Sequence, residues 1–449
     1  MTARFILLYC LLFAQNIWSQ QVLSEKERAR VIDEILAERF NNLLPQLMDA
    51  TQIDMWVLIS REYNEDPVLR TMLPATWLNA RRRTILLFYR DKAKGTIEKL
   101  AVARYNVGKN IESAWNKDKE PNQWKRLVQL IEDRNPKKIG LNFSTDHNIA
   151  DGLVKTDHEE LLQNLPKKYH ARITSAEQLA VRWIETRTDR EMAIYEQLVT
   201  ITHDIIAEAF SEKVITPGIT TTRDVVWWMR QKVTDLGLET WFHPTVDVQR
   251  TSEVLQGHLY TFSERPDNEV IFPGDLLHCD FGITYLRLNT DCQELAYVLK
   301  PGETDAPKYL KNALKEGNRV QDFLTQNMIE GRTGNEILAK SLSDAKSVGL
   351  RPAIYTHPLG SYGHSAGTTI GMWDAQGGVM KDDGEKYPLN TNTVYAIELN
   401  TTVTIPEWQR DVRIMLEEAG FFGENGFRYV NGRQTELFLV PRQKPHMDH

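Results

Sequence analysis

Two aspartates with ten residues between them limit this chain more than any other feature. They stand in Pro273-Gly274-Asp275-Leu276-Leu277-His278-Cys279-Asp280-Phe281-Gly282 and the following Asn289-Thr290-Asp291. A Pro-Gly turn feeds an apolar strand that ends in Asp280, the chain reverses through a short polar segment, and a second strand brings Asp291 back. A hairpin of that kind sets both carboxylates side by side. Neighbouring anions repel unless a proton or a cation lies between them. Taken alone, the pair reads equally well as two solvated turn aspartates.

Two later segments add partners. In Tyr355-Thr356-His357-Pro358-Leu359-Gly360-Ser361-Tyr362-Gly363-His364-Ser365-Ala366-Gly367, two histidines sit among glycines, where a helix is disfavoured and the backbone can approach a ligand closely. Both imidazoles are expected on a loop. One suits a metal and the other the charge that develops on a substrate. Val394-Tyr395-Ala396-Ile397-Glu398-Leu399 is a strand with one carboxylate among apolar residues, and Ile414-Met415-Leu416-Glu417-Glu418 ends in two acids. A buried, unpaired carboxylate is costly, so Glu398 calls for a cation or a proton.

The order and spacing of these residues resemble the pita-bread metallopeptidases, the family of methionine aminopeptidase, aminopeptidase P, prolidase and creatinase. That family orders its ligands Asp, Asp, His, Glu, Glu, with ten residues between the aspartates, as Asp280 and Asp291 have. A second family histidine follows the metal histidine by seven positions, as His364 follows His357. The stretch from His357-Pro-Leu-Gly to His364-Ser-Ala-Gly, and a whole domain ahead of it, are most similar to the aminopeptidase P and prolidase branch. The resemblance implies metal ligands Asp280, Asp291, His357, Glu398 and Glu417, with His364 stabilising an oxyanion and Glu398 moving a proton.

The chain departs from the family in two places. The last family motif reads Arg-Ile-Glu-Asp, whereas Arg413-Ile414 here is followed by Met415-Leu416. Aligning on the arginine puts Met415 at the ligand position, whereas aligning on the acid puts Glu417 there and Met415 where the family has arginine. The second register is preferred, and it predicts a lost hydrogen bond behind the ligands. A further catalytic histidine upstream of Asp280 falls on His258 if 264–269 contains an insertion, with His243 as the weaker candidate.

The resemblance implies removal of an N-terminal residue from a peptide, with proline following it. The nucleophile would be a hydroxide shared by two divalent ions, manganese first, with cobalt, zinc or iron as alternatives. Proline lacks an amide hydrogen, so its peptide bond calls for a dedicated pocket. A prolidase restricted to dipeptides would use the same centre. Creatinase-type hydrolysis is disfavoured because creatinase lacks this ligand set, and a non-catalytic binding protein of the same fold is the remaining reading.

The expected fold is an α/β N-terminal creatinase-like domain, residues 21–178, joined to an α+β pita-bread catalytic domain, residues 179–449. Alternating strands and helices indicate the first, from the helix after Ser24-Glu25-Lys26-Glu27 through Met55 to Ile59, Ile85 to Tyr89 and Ile139 to Asn142. Residues 1–20, with Arg4 ahead of the apolar run Phe5 to Ala14, read as a secretory signal, so export to a periplasm or the extracellular space is expected. No later run approaches the ~20 apolar residues of a membrane helix. The net charge of -7, without a basic stripe, argues against nucleic acid. Tyr9 ahead of Cys10 makes that cysteine a poor lipid-attachment site, and Cys279 and Cys292 are expected as packing residues. The family resemblance implies a homodimer with a peptide as substrate.

Overall fold

The computed structural model describes residues 22–251, 268–371, 377 and 387–442. The signal segment, Cys10 and His258 lie outside the described residues. Ser24 caps the opening helix Glu25–Glu38 by accepting from the Glu27 amide, and the helix runs through the π-helical turn Arg39–Leu43 into Leu44–Thr51.

A six-stranded sheet follows, with Met55–Arg61 near its centre between Arg83–Asp91 and Ile139–Leu141. Met55 to Ile59 is apolar throughout because the sheet is covered on both faces. Trp56 and Leu58 pack with Phe40, Leu44 and Trp183, while Met55, Val57 and Ile59 pack with Trp124, Leu127 and Ile131. The helix Glu177–Glu185 closes the first of these cores with Leu179, Ala180, Val181, Trp183 and Ile184. The long helix Asp189–Ala209 then starts at a reciprocal cap between Thr188 and Glu191.

The second half is built from curved antiparallel strands backed by the helices Asp189–Ala209, Thr222–Asp235, Lys308–Asn327 and Gly334–Ser347. Leu276–Phe281 pairs antiparallel with Cys292–Val298, and Asp280 lies opposite Gln293. Two strands change partners along their length. Thr393–Ala396 belongs to one sheet and Leu399–Ile405 to another; Arg410–Leu416 and Ala419–Gly423 repeat the switch alongside them. Glu398 falls at the first break and Glu417 at the second. The single strand expected from Val394 to Leu399 is therefore parts of two strands.

The halves are joined by buried polar contacts. Arg39 and Arg187 both pair with Glu191, at 2.8 and 2.9 Å, and their guanidinium groups also donate to the carbonyls of Trp183 and Ile184. Arg287 donates to Leu73 O at 2.6 Å, and Tyr362 Oη donates to Pro67 O at 2.8 Å. Ala366, from the glycine-rich loop, is buried in the core of the first half. No described helix is long and apolar enough to cross a membrane.

Candidate metal centre

The Asp280–Asp291 hairpin is pinched at its neck. A side chain at Gly282 would meet Thr290 O at 2.2 Å, and Trp241 Nε1 donates to that same carbonyl at 2.8 Å. Only glycine lets the two chains approach this closely. The strand pleat then turns Asp280 and Gln293 to one face, while Cys279 and Cys292 turn to the other, where both are buried as free thiols.

Asp280, Asp291 and Glu417 converge on one point, and His357, Glu398 and Glu417 on another. Within each group one ligand atom per residue lies within 4.8 Å of the others. Glu417 belongs to both groups, and Glu418 belongs to neither. His357 Nε2 is 3.6 Å from Glu417 Oε1 and 3.8 Å from Asp291 Oδ2, too far for hydrogen bonds and wide enough for a cation between them. Asp291 Oδ1, Glu417 Oε1 and His357 Nε2 are buried without a hydrogen-bond partner among the described residues. Nor does any described Lys or Arg pair with Asp291 or Glu417. Oxygen-rich donors plus one imidazole, with orphaned lone pairs facing one another, fit divalent metal ions.

The electrostatics agree. Burial, then the charges of Asp280 and Glu398, drives the Asp291 carboxyl well above its ordinary range. Burial, then Asp291, Glu398 and Asp280, does the same to Glu417. Burial, with His364 beside it, lowers His357 to about 3, so its imidazole is neutral and ready to ligate. His357 is not on a loop, as its glycine-rich surroundings suggested. It opens the short strand His357–Leu359 and pairs with Ala396, which fixes it beside Glu398.

His364 does lie on the loop and is exposed, its ring centroid 4.6 Å from that of His357 and 5.3 Å from that of Trp241. Gly363 allows this, since a side chain there would strike the Trp241 ring at 2.4 Å. Asp280 and Glu398 are half-buried, so the cluster opens toward His364 and its aromatic frame of Trp241 and Tyr355. His243 is exposed, packed against Trp227 and hydrogen-bonded to Arg230 at 3.1 Å.

Three residues behind the ligands were missed by sequence reasoning. Gln293 donates to Glu417 Oε2 at 2.9 Å and to Glu398 Oε1 at 3.0 Å. Its own Oε1 meets His278 Nε2 at 3.0 Å, and His278 Nδ1 meets Asp247 Oδ2 at 3.1 Å. The available signal was polar side chains two residues from each aspartate on otherwise apolar strands. Glu418 faces the opposite way, accepting from the Gln434 amide at 2.8 Å and meeting His203 Nε2 at 2.9 Å. Burial alone would lower His203, but Glu418 overcomes it and holds the imidazole at about 9.

Residues 193–419 match the sequence pattern of metallopeptidase family M24. No match was found among curated proteins. Among solved structures, the X-Pro aminopeptidase of Thermotoga maritima superposes with a TM-score of 0.61 at 15% identity, covering 88% of this chain and 100% of that one. The prolidase of Pyrococcus furiosus gives 0.53 at 16%, covering 87% and 99%. The Xaa-Pro dipeptidase of Bacillus anthracis gives 0.52 at 17%, covering 93% and 100%. These likenesses extend over both halves and establish the fold, an α/β domain ahead of a pita-bread domain. With half its length matching the family pattern and five side chains of metal-ligating type converging inside that match, this chain belongs to metallopeptidase family M24.

Proposed function

We propose that this hydrolase is an aminopeptidase of the Xaa-Pro type, removing the N-terminal residue of peptides in which proline comes next. The convergence of Asp280, Asp291, His357, Glu398 and Glu417 beneath the exposed His364 carries the reading. Those five side chains would hold two divalent ions, manganese first, with cobalt, zinc or iron as alternatives. When bound, such ions polarise the scissile carbonyl and lower the pKa of a water molecule.

The chain's own groups do the rest. Glu398 stands where the cluster opens, held by the bond its Oε1 accepts from Gln293, and its carboxylate would carry a proton to the leaving amine. His364 donates a ring N–H toward the oxygen on which negative charge develops. Trp241 and Tyr355, packed edge-on to His364, fix that ring and narrow the approach of water. Gln293 holds Glu398 and Glu417 in place from behind. The wider reading includes export through the N-terminal segment and assembly as a homodimer.

The test is hydrolysis of Xaa-Pro dipeptides against longer Xaa-Pro peptides by purified protein, with and without chelator. Turnover of the longer peptides that stops on chelation and returns with manganese is expected. Turnover of dipeptides alone would make it a prolidase, and activity in a metal-free preparation would sink the mechanism.

A further inference from the structure

The first half of the chain carries a cleft of about 540 Å³ at the end of its sheet, well away in sequence from the metal ligands, in which arginines meet aromatic rings. Five arginines and two glutamates line it, although the chain as a whole has a net charge of -7. Two of the arginines are already neutralised. Arg61 donates to both oxygens of Asp157, at 2.9 and 2.8 Å, and Arg83 pairs with Glu160 at 2.6 Å. Arg81, Arg82 and Arg104 are exposed, and among the described residues their guanidinium groups pair with no carboxylate, although the Arg82 amide donates to Glu62 Oε2 at 3.2 Å.

The backbone accepts strain to hold this arrangement. Tyr63 and Arg82 both have left-handed φ angles, 67° and 57°, and neither is glycine. They stand on two turns tied together where the Glu62 amide donates to Arg82 O at 2.6 Å. Such backbone is energetically unfavourable and collects where a side chain must be presented in a set direction. Arg81 is presented too, its guanidinium 4.4 Å from the centroid of the buried Trp77 ring. The lining is aromatic as well: Trp77, Tyr105 and Trp115 border the cleft, and Tyr105 is 56% exposed.

We propose that this cleft binds a carboxylate-bearing ligand with an apolar or aromatic part, its carboxylates gripped by the forks of Arg81, Arg82 and Arg104. The volume is that of a site for a small molecule or a few peptide residues. Planar guanidinium forks match carboxylates in a way that point charges do not, and the rings of Trp77, Tyr105 and Trp115 give the apolar part its contact. The chemistry has two sources, a free aromatic dicarboxylate or the acidic end of a peptide.

Titration calorimetry of the full-length protein at matched ionic strength separates them. The probes are benzene-1,3-dicarboxylate, N-acetyl-Glu-Glu-Phe, whose blocked amine keeps it from serving as an aminopeptidase substrate, and inorganic phosphate. Saturable binding of one or both carboxylates, tighter than phosphate, is expected, and whichever carboxylate binds tighter identifies the source. Arg82→Ala and Arg104→Ala should each weaken it about tenfold or more. Arg82→Lys, which keeps the charge and loses the fork, should recover only part of that. Both arginines are exposed, so melting temperatures should stay within about 1 °C of the parent. Absence of saturable binding, equal binding by the alanine variants, or phosphate binding as tightly as the carboxylates would overturn the assignment.

Discussion

Gln293 is bound to Glu417 twice over. Their backbones exchange hydrogen bonds in both directions, at 2.9 and 3.1 Å, and the Gln293 side chain donates to Glu417 Oε2 at 2.9 Å. The family resemblance puts arginine at the position of the buried Met415, whose side chain offers no N–H donor. Gln293 reaches two of the ligating carboxylates from the neighbouring strand, with His278 and Asp247 fixing its amide from behind. Gln293→Ala keeps the backbone pairing and removes the side-chain bonds. Metal affinity should fall about 10–100-fold, measured by competition with a chelator, while far-ultraviolet circular dichroism stays unchanged.

Glu417→Ala and Glu418→Ala should separate cleanly, because the two side chains leave the strand break in opposite directions. The first should lower bound metal per chain, measured by elemental analysis. The second should leave metal content near the parent value but destabilise the fold by about 1–3 kcal/mol, since it strands His203 and the Gln434 amide without their acceptor. Loss of metal in Glu418→Ala alone would reverse the register drawn here.

His364→Ala should reduce kcat about 100- to 1000-fold, the usual loss for one oxyanion donor, with metal content unchanged. Steady-state kinetics alongside elemental analysis checks this. A loss confined to KM would make His364 a binding residue.

Gly282→Ala should be severe for so small a change. The new methyl group would meet the Thr290 carbonyl, which is backbone and cannot turn aside. A cost of about 1–3 kcal/mol is expected from the forced shift, together with weaker metal binding as Asp280 and Asp291 part. Thermal melts with and without manganese should show a smaller metal-induced rise than in the parent.

Glu191→Gln tests the seam between the halves and carries a pH signature. Burial would raise the Glu191 carboxyl, but Arg187 and Arg39 overcome it and hold the group below its ordinary value of 4.5. A depressed carboxyl stabilises the fold fully above its unfolded pKa and loses that contribution as pH falls through the folded value. The variant should be about 3–5 kcal/mol less stable, because it leaves two buried guanidiniums short of their anion. The gap between variant and parent in denaturant unfolding should hold steady above about pH 5 and narrow on further acidification.

The parts of the site legible in the sequence were those whose geometry is local. Asp280 and Asp291 lie in one hairpin, so their spacing along the chain almost dictates their spacing in space. His357 and His364 stood out because glycines surround them. Gln293 was silent because its partners Glu398 and Glu417 lie 105 and 124 positions away, and no local pattern reports such a contact. The break at Glu398 was equally hidden. Val394 to Leu399 has the composition of one uninterrupted strand, and only the choice of partner, Ala419 for Ala396 but Leu416 for Leu399, shows that the chain changes sheets there. His357 was misread as a loop residue because the glycines follow it, while the strand that captures it comes from Thr393–Ala396.

The burial of Ala366 in the first core, with Tyr362 hydrogen-bonded to Pro67, bears on how such an enzyme can be cut down or recombined. The loop bearing His364 hangs between these two anchor points. A fragment starting after the first domain would keep every ligating side chain yet lose the surface that positions this loop. Exchanging first domains between relatives would alter turnover even where metal content stayed the same. For this chain, the smallest unit that can evolve as a catalyst is therefore both halves together.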